Sequence, residues 1–143
     1  MIMIRTVLVC VVGILSATVA MAADTSPLDG DWTIESVIRD GKIDDNYTGA
    51  KRVFEGGRYT MKAAEGKTLS TTAGTFTVNA ATKTIDMKPV DGRYKGHTLL
   101  GIYSLDGGTL RVAFAEPGTD RPTQYESRHG NRVIVAVMKR ARE

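Results

Sequence analysis

The residues able to do chemistry in this sequence are few and far apart. The two histidines, His97 and His129, stand 32 positions apart, each beside a glycine (Gly96 and Gly130). That setting reads as exposed loop. A zinc site needs three or four ligands, and the one cysteine, Cys10, lies in an apolar run near the start of the chain. No metal ligand set is assigned. Asp44 and Asp45 are neighbours, and adjacent side chains of an extended chain point to opposite sides, so they make a poor acid–base pair. Asp44-Asp45-Asn46 also lacks the Asp-x-Asp-x-Asp-Gly order of a calcium loop. Glu116, Asp120 and Arg121 read as local ion pairing that shapes a loop before Pro122. No serine sits in a Gly-x-Ser-x-Gly elbow, and no glycine-rich loop has the spacing of a phosphate or dinucleotide cradle. The sequence therefore assigns no catalytic residue, implies no cofactor, and reads as a non-enzyme.

A second set of residues points to binding. Phe54, Tyr59, Phe76, Phe114 and Tyr125 fall on the apolar faces of short alternating segments, and Ile102 falls on one of two apolar faces of its segment. Brought together inside a β fold, they would line any pocket, with tyrosine hydroxyls as the orienting polar groups. Their other reading is ordinary core.

The elements that must position them are strands. Trp32, Ile34, Ser36 and Ile38 alternate with Thr33, Glu35, Val37 and Arg39; Phe76 and Val78 alternate with threonines; Leu110, Val112 and Phe114 alternate with Thr109, Arg111 and Ala113. A period of two with one apolar face is the pattern of a half-buried antiparallel sheet. Glycine pairs such as Gly56-Gly57, Asp91-Gly92 and Asp106-Gly107 supply turns between them. The spacing predicts eight or nine strands, at about 31–39, 51–55, 58–63, 73–79, 84–88, 98–105, 109–115, 122–127 and 132–140. No stretch after residue 22 has helical periodicity. A closed barrel leaves no sticky edge, so the expected fold is a small antiparallel all-β barrel, with a two-sheet sandwich as the alternative. Leu99 to Leu105 and Val133 to Met138 are apolar on both faces and call for a cover.

The chain's beginning reads as an export signal. Met1 to Arg5 carry one positive charge, Thr6 to Ala20 carry none, and Ala20-Met21-Ala22 has small residues two apart, the pattern signal peptidase reads. The apolar run is shorter than the ~20 residues of a membrane span. Cleavage after Ala22 is expected to leave 121 of the 143 residues, without a cysteine and with net charge +2. Residues 23–27 form a loose lead to one domain over 28–143, in the periplasm or outside the cell. The absence of thiols suits an oxidising compartment. The basic residues are scattered, and no basic stripe interleaved with aromatics argues for nucleic acid. No membrane span remains after cleavage.

The motifs along the mature chain resemble a known family. Leu28-Asp29-Gly30-Asp31-Trp32 opens the first strand with Gly-x-Trp; Gly101-Ile102-Tyr103-Ser104-Leu105-Asp106-Gly107-Gly108-Thr109-Leu110 follows, then Arg121-Pro122 and a last strand ending in Lys139-Arg140. This order is similar to an uncharacterised lipocalin-like domain family of planctomycetal-type bacteria, across residues 28 to 140. Gly108 stands where that family usually has Asp. The resemblance implies a lipocalin-like barrel and export, and brings no activity. It also implies that Trp32 closes the barrel floor under a basic side chain from the last strand, Arg140 first and Lys139 second.

Two functions follow as expectations. The first is an exported barrel that binds a small apolar or amphipathic ligand in its interior. The alternative is a periplasmic interaction or inhibitor module with a filled core, docked on an envelope protein through a loop or a two-faced strand.

Overall fold

The computed structural model describes residues 26–141. The signal segment expected at 1–22 lies outside the described residues, as does the beginning of the 23–27 lead.

Nine strands form one antiparallel sheet: β1 (Gly30–Arg39), β2 (Lys42–Ile43), β3 (Lys51–Glu55), β4 (Arg58–Lys62), β5 (Ala73–Asn79), β6 (Thr84–Pro89), β7 (Leu99–Asp106), β8 (Thr109–Ala115) and β9 (Val133–Arg140). From β3 onward each strand pairs with the next in the chain, and β9 returns to pair with β1. The result is a closed, lipocalin-like barrel of eight strands. The two-residue β2 is an extra strand that hairpins onto the end of β1, Ile38 facing Ile43. Closure removes the open edges that a sheet of this size would otherwise expose.

The alternating pattern fills the barrel. Phe54, Tyr59, Phe76, Ile85, Met87, Leu110 and Val112 are all buried on the inner face, while the intervening Glu55, Thr60, Thr75, Thr77, Lys88 and Arg111 face water. One strand departs from simple alternation. In β1 the pairing with β9 shifts register between Ile34 and Ser36. A bulge of this kind adds one residue and exchanges the faces beyond it. Trp32, Ile34 and Val37 therefore point inward, not Ser36 and Ile38. Past the bulge Arg39 also turns toward the interior at the end of the strand.

The second departure lies between β8 and β9. The segment expected as a strand at 122–127 is loop. Pro122 has no N–H for a ladder, and β8 and β9 already pair with each other from Thr109↔Lys139 to Ala115↔Val133. With no strand edge to join, residues 116–132 run as a strap over the outer surface. Arg121 pins it: its Nη1 donates to the Gly101 carbonyl at 2.7 Å and its Nη2 to the Asp86 carboxylate at 2.7 Å. Beneath the strap a small outer cluster forms from Ala113, Val133 and Val135, with Ile102 and Tyr125 packed against it. The guanidinium of Arg111 lies 4.8 Å from the Tyr125 ring centre. The chain thus supplies its own cover for its two-faced apolar strands.

Cutting the pin should loosen this cover. Hydrogen bonds to charged groups contribute about 1.5–3 kcal/mol, and the Arg121–Asp86 pair is about one-third exposed, so Arg121→Ala is expected to cost about 1 kcal/mol after screening. Deuterium uptake should accelerate across 116–128 and stay unchanged in β3 and β4. Unchanged uptake in the strap would remove Arg121 as its anchor.

Candidate functional site

The barrel has two unlike ends. The floor collects the start of β1, the β3–β4, β5–β6 and β7–β8 turns and the end of β9. There Trp32 is fully buried, its Nε1 donating to the Leu28 carbonyl at 2.8 Å. The Arg140 guanidinium carbon stands 4.3 Å from the Trp32 ring centre, and its Nη1 donates to the Asp29 carbonyl at 3.2 Å. Gly30 makes room for this lid: its backbone is at φ +132, and a Cβ there would meet Arg140 Nη1 at 2.7 Å. Phe54 and Phe76 stack edge to face at 4.9 Å between ring centres and plug the space above.

The mouth gathers the β1–β3 and β4–β5 loops, the β6–β7 loop and the strap. A polar network ties these loops. Arg39 Nη1 donates to the Tyr94 hydroxyl at 2.7 Å, which donates to Glu116 Oε1 at 3.1 Å. Arg132 Nε donates to Glu116 Oε2 at 3.3 Å, and Arg39 Nε lies 3.7 Å from Asp44 Oδ2. Partial burial pushes the Tyr94 hydroxyl pKa up, with Arg39 acting against it and Glu116 with it. On the far rim Asp91 accepts from the Thr72 hydroxyl, from Thr72 N at 2.9 Å and from Ala73 N at 3.3 Å. These bonds, the hydroxyl's first, hold its carboxyl below the usual carboxylate range.

A depressed carboxyl pKa contributes stability that is present at neutral pH and lost as pH falls through the depressed value. Asp91→Asn should therefore lower the melting temperature at pH 7, and the gap to the parent should close on acidification below the usual carboxylate range. A gap that stays constant with pH would mean that the loop is held by something else.

Below the mouth lies a cavity of about 40 Å³, lined by apolar groups of Ile34, Val37, Met61, Met87, Leu99 and Phe114, with Tyr59, Arg39, Arg52, Tyr47, Thr71 and Tyr94 as its polar members. One water needs about 10–15 Å³ on this measure, so the space holds a few water-sized groups. It is far below the roughly 300–1,000 Å³ of sites that enclose a drug-sized molecule. Arg39 stands between this cavity and an open surface hollow of about 310 Å³ bounded by Asp40, Arg93, Glu116 and Arg132.

The deepest polar group in the cavity is Arg52. It lies on β3 opposite Met61 and Trp32 and is 6% exposed. Among the described residues its Nη2 donates only to the Met61 sulfur, at 2.9 Å. Its Nε and Nη1 have no partner among the described residues. The guanidinium carbon lies 5.6 Å from the Phe54 ring centre and 5.2 Å from that of Tyr59. Burial pulls its pKa down, with Tyr59 and Tyr47 opposing, yet arginine remains a cation in proteins. Burial likewise pushes the Tyr59 hydroxyl up, against the Arg52 charge. The end of the Tyr59 ring lies against Gly74, where a Cβ would meet its hydroxyl at 2.5 Å and the Lys88 carbonyl at 2.6 Å. Glycine at that position is what lets the ring sit at the cavity wall.

Of the residues singled out from sequence, Tyr59 and Phe114 line the cavity, while Phe54 and Phe76 fill the core beneath it. Ile102 and Tyr125 do not face the interior. Ile102 is on the outer face of β7, because Gly101 and Tyr103 occupy the inner positions, and Tyr125 sits in the strap against it. His129 Nδ1 lies 3.0 Å from Asp40 Oδ2 on the exposed surface. Sequence reasoning passed over Arg52 and Arg39. Arg52 was legible as the inward partner of Phe54 two residues on; Arg39 was hidden by the bulge. Set against protein-family models, curated proteins and solved structures, the chain matches none of them.

Proposed function

We propose that this chain is an exported barrel that binds a small amphipathic molecule at its mouth. The observation that carries this reading is the cavity at the open end, apolar on most of its wall and furnished with a few inward polar groups, above a sealed floor. That combination is the usual make-up of a ligand site. Its size restricts the occupant: a head of a few heavy atoms enters, and the rest of the molecule leads out through the mouth. Met61 and Met87 form part of the wall, and unbranched methionine side chains adapt to what they contact. The expected export signal and the family resemblance support a role outside the cytoplasm. Binding, not catalysis, is the role assigned.

The three methionines among the described residues give a direct test. Their methyl resonances should be followed while four- to eight-carbon alcohols and acids are added. Met61 and Met87 should shift, and Met138, fully buried in the floor, should not. If every compound leaves Met61 and Met87 in place, the pocket is core and the reading fails.

The smallness of the cavity favours a second reading, an interaction module with a filled core. The strap already covers the two-faced strands, so its contacts would fall on the mouth loops, where Ile43 and Val90 are 64% and 55% exposed.

A further inference from the structure

We infer that Arg52 is the receptor for an anionic head group, and that the ligand class is a small organic carboxylate with a short apolar tail. This inference rests on the binding reading above and deepens it.

Four observations lead to it. First, a guanidinium carries five N–H donors, and burying such a charge without hydrogen-bond partners is costly. Arg52 is buried, and its one partner among the described residues is a thioether, a weak acceptor. Nε and Nη1 remain without a partner among the described residues. Second, Arg52 is itself one of the residues that line the cavity. Third, the lining contains two arginines and no carboxylate. Its sign selects anions and rejects cations. Fourth, the approach has the same sign. Arg39, Arg93 and Arg132 border the hollow outside the mouth against two carboxylates, Asp40, which lies against Gly130 N and His129, and Glu116, which is engaged by Tyr94 and Arg132, so the rim is net positive. A net positive rim raises the local concentration of anions.

The head group follows from size and shape. A carboxylate has three heavy atoms, which suits a cavity of about 40 Å³, and its two oxygens match the planar fork of arginine. The tail would lie against Met61, Met87 and Leu99 on its way to the mouth. The aromatic faces of Phe54 and Tyr59 beside the guanidinium hold it in place without competing for its N–H groups.

The test compares hexanoate, hexanamide and hexylammonium, which share a six-carbon skeleton and differ in charge. Titration calorimetry on the mature protein should give hexanoate a dissociation constant at least about tenfold lower than that of hexanamide, and no measurable binding of hexylammonium. In Arg52→Met the preference should vanish, with hexanoate and hexanamide bound alike. Arg52→Lys should keep a reduced preference. Equal binding of hexanoate and hexanamide by the unaltered protein, with Met61 and Met87 methyl shifts for both, would overturn the anion receptor and leave the pocket reading standing. Absence of shifts with all three compounds would overturn both. The comparison on the unaltered chain stands even if neither variant folds.

Discussion

Arg52→Met is expected to make the empty protein more stable, by about 1–3 kcal/mol. Replacing a buried ion pair with apolar residues of similar volume is often neutral or stabilising by about 1–4 kcal/mol, and Arg52 has no counter-ion among the described residues to offset its desolvation. Against this stands the loss of the cation–π contacts to Phe54 and Tyr59, worth about 2 kcal/mol when desolvated. Methionine is unbranched, can follow the path of the arginine stem, and can pack against Met61 across β3 and β4. The physical content is a trade: a group that serves only structure should not be cheaper to remove than to keep. Chemical denaturation of the two chains measures it, and the slope with denaturant should be unchanged because the folded surface is the same. A loss of more than about 1 kcal/mol would make Arg52 an integral part of the core and take away the ground for assigning it a ligand.

The opposite sign is expected at the other end of the barrel. Trp32→Ala should cost about 3–5 kcal/mol, the range for removing a large buried aromatic. Trp32 is fully buried, bonds to Leu28 through its indole N–H and carries the Arg140 lid. Natural domains have only about 5–15 kcal/mol to lose, so much of the folding free energy is at stake. The loss should exceed that of Arg140→Ala, where the stacking contributes about 0.5–2 kcal/mol. Because the two side chains touch, the double variant should lose less than the two single losses together. A cost for Trp32→Ala under about 1 kcal/mol would show that the floor does not depend on it. The contrast with Arg52 is the argument: Trp32 satisfies every group it brings inside, and Arg52 does not.

Much of the fold was legible because alternation is a direct physical signal. β4, β5 and β6 each present one apolar face, and each lies where the period of two puts it. The turn glycines mark the ends. What alternation cannot report is a change of face within a strand. The bulge between Ile34 and Ser36 inserts one residue into β1, and every assignment beyond it reverses, so Val37 and Arg39 point inward where Ser36 and Ile38 were expected. The bulge has no marker such as Gly or Pro at that position. The strap is the other failure. Residues 122–127 carry apolar and polar groups in a strand-like order, but their partner is the outer face of β7 to β9 and not a sheet edge. Tyr125 and Ile102 were read as interior for the same reason: apolar character does not say which side of a two-faced strand it serves. The site was half legible. Tyr59 and Phe114 follow from alternation. Arg52 follows from the same pattern, since it shares a face with Phe54, but charge argued against placing it inside. A buried charge is where local sequence rules and the fold disagree, and such disagreements tend to fall at functional sites.

The measurement that bears most directly on ligand binding is native mass spectrometry of the protein purified gently from the cells that make it. A reproducible added mass is expected, released on denaturation, acidic in character and absent from Arg52→Met prepared in the same way. A bare polypeptide mass from both chains, under conditions that preserve known carrier complexes, would contradict the account and move the search to protein partners at the mouth loops.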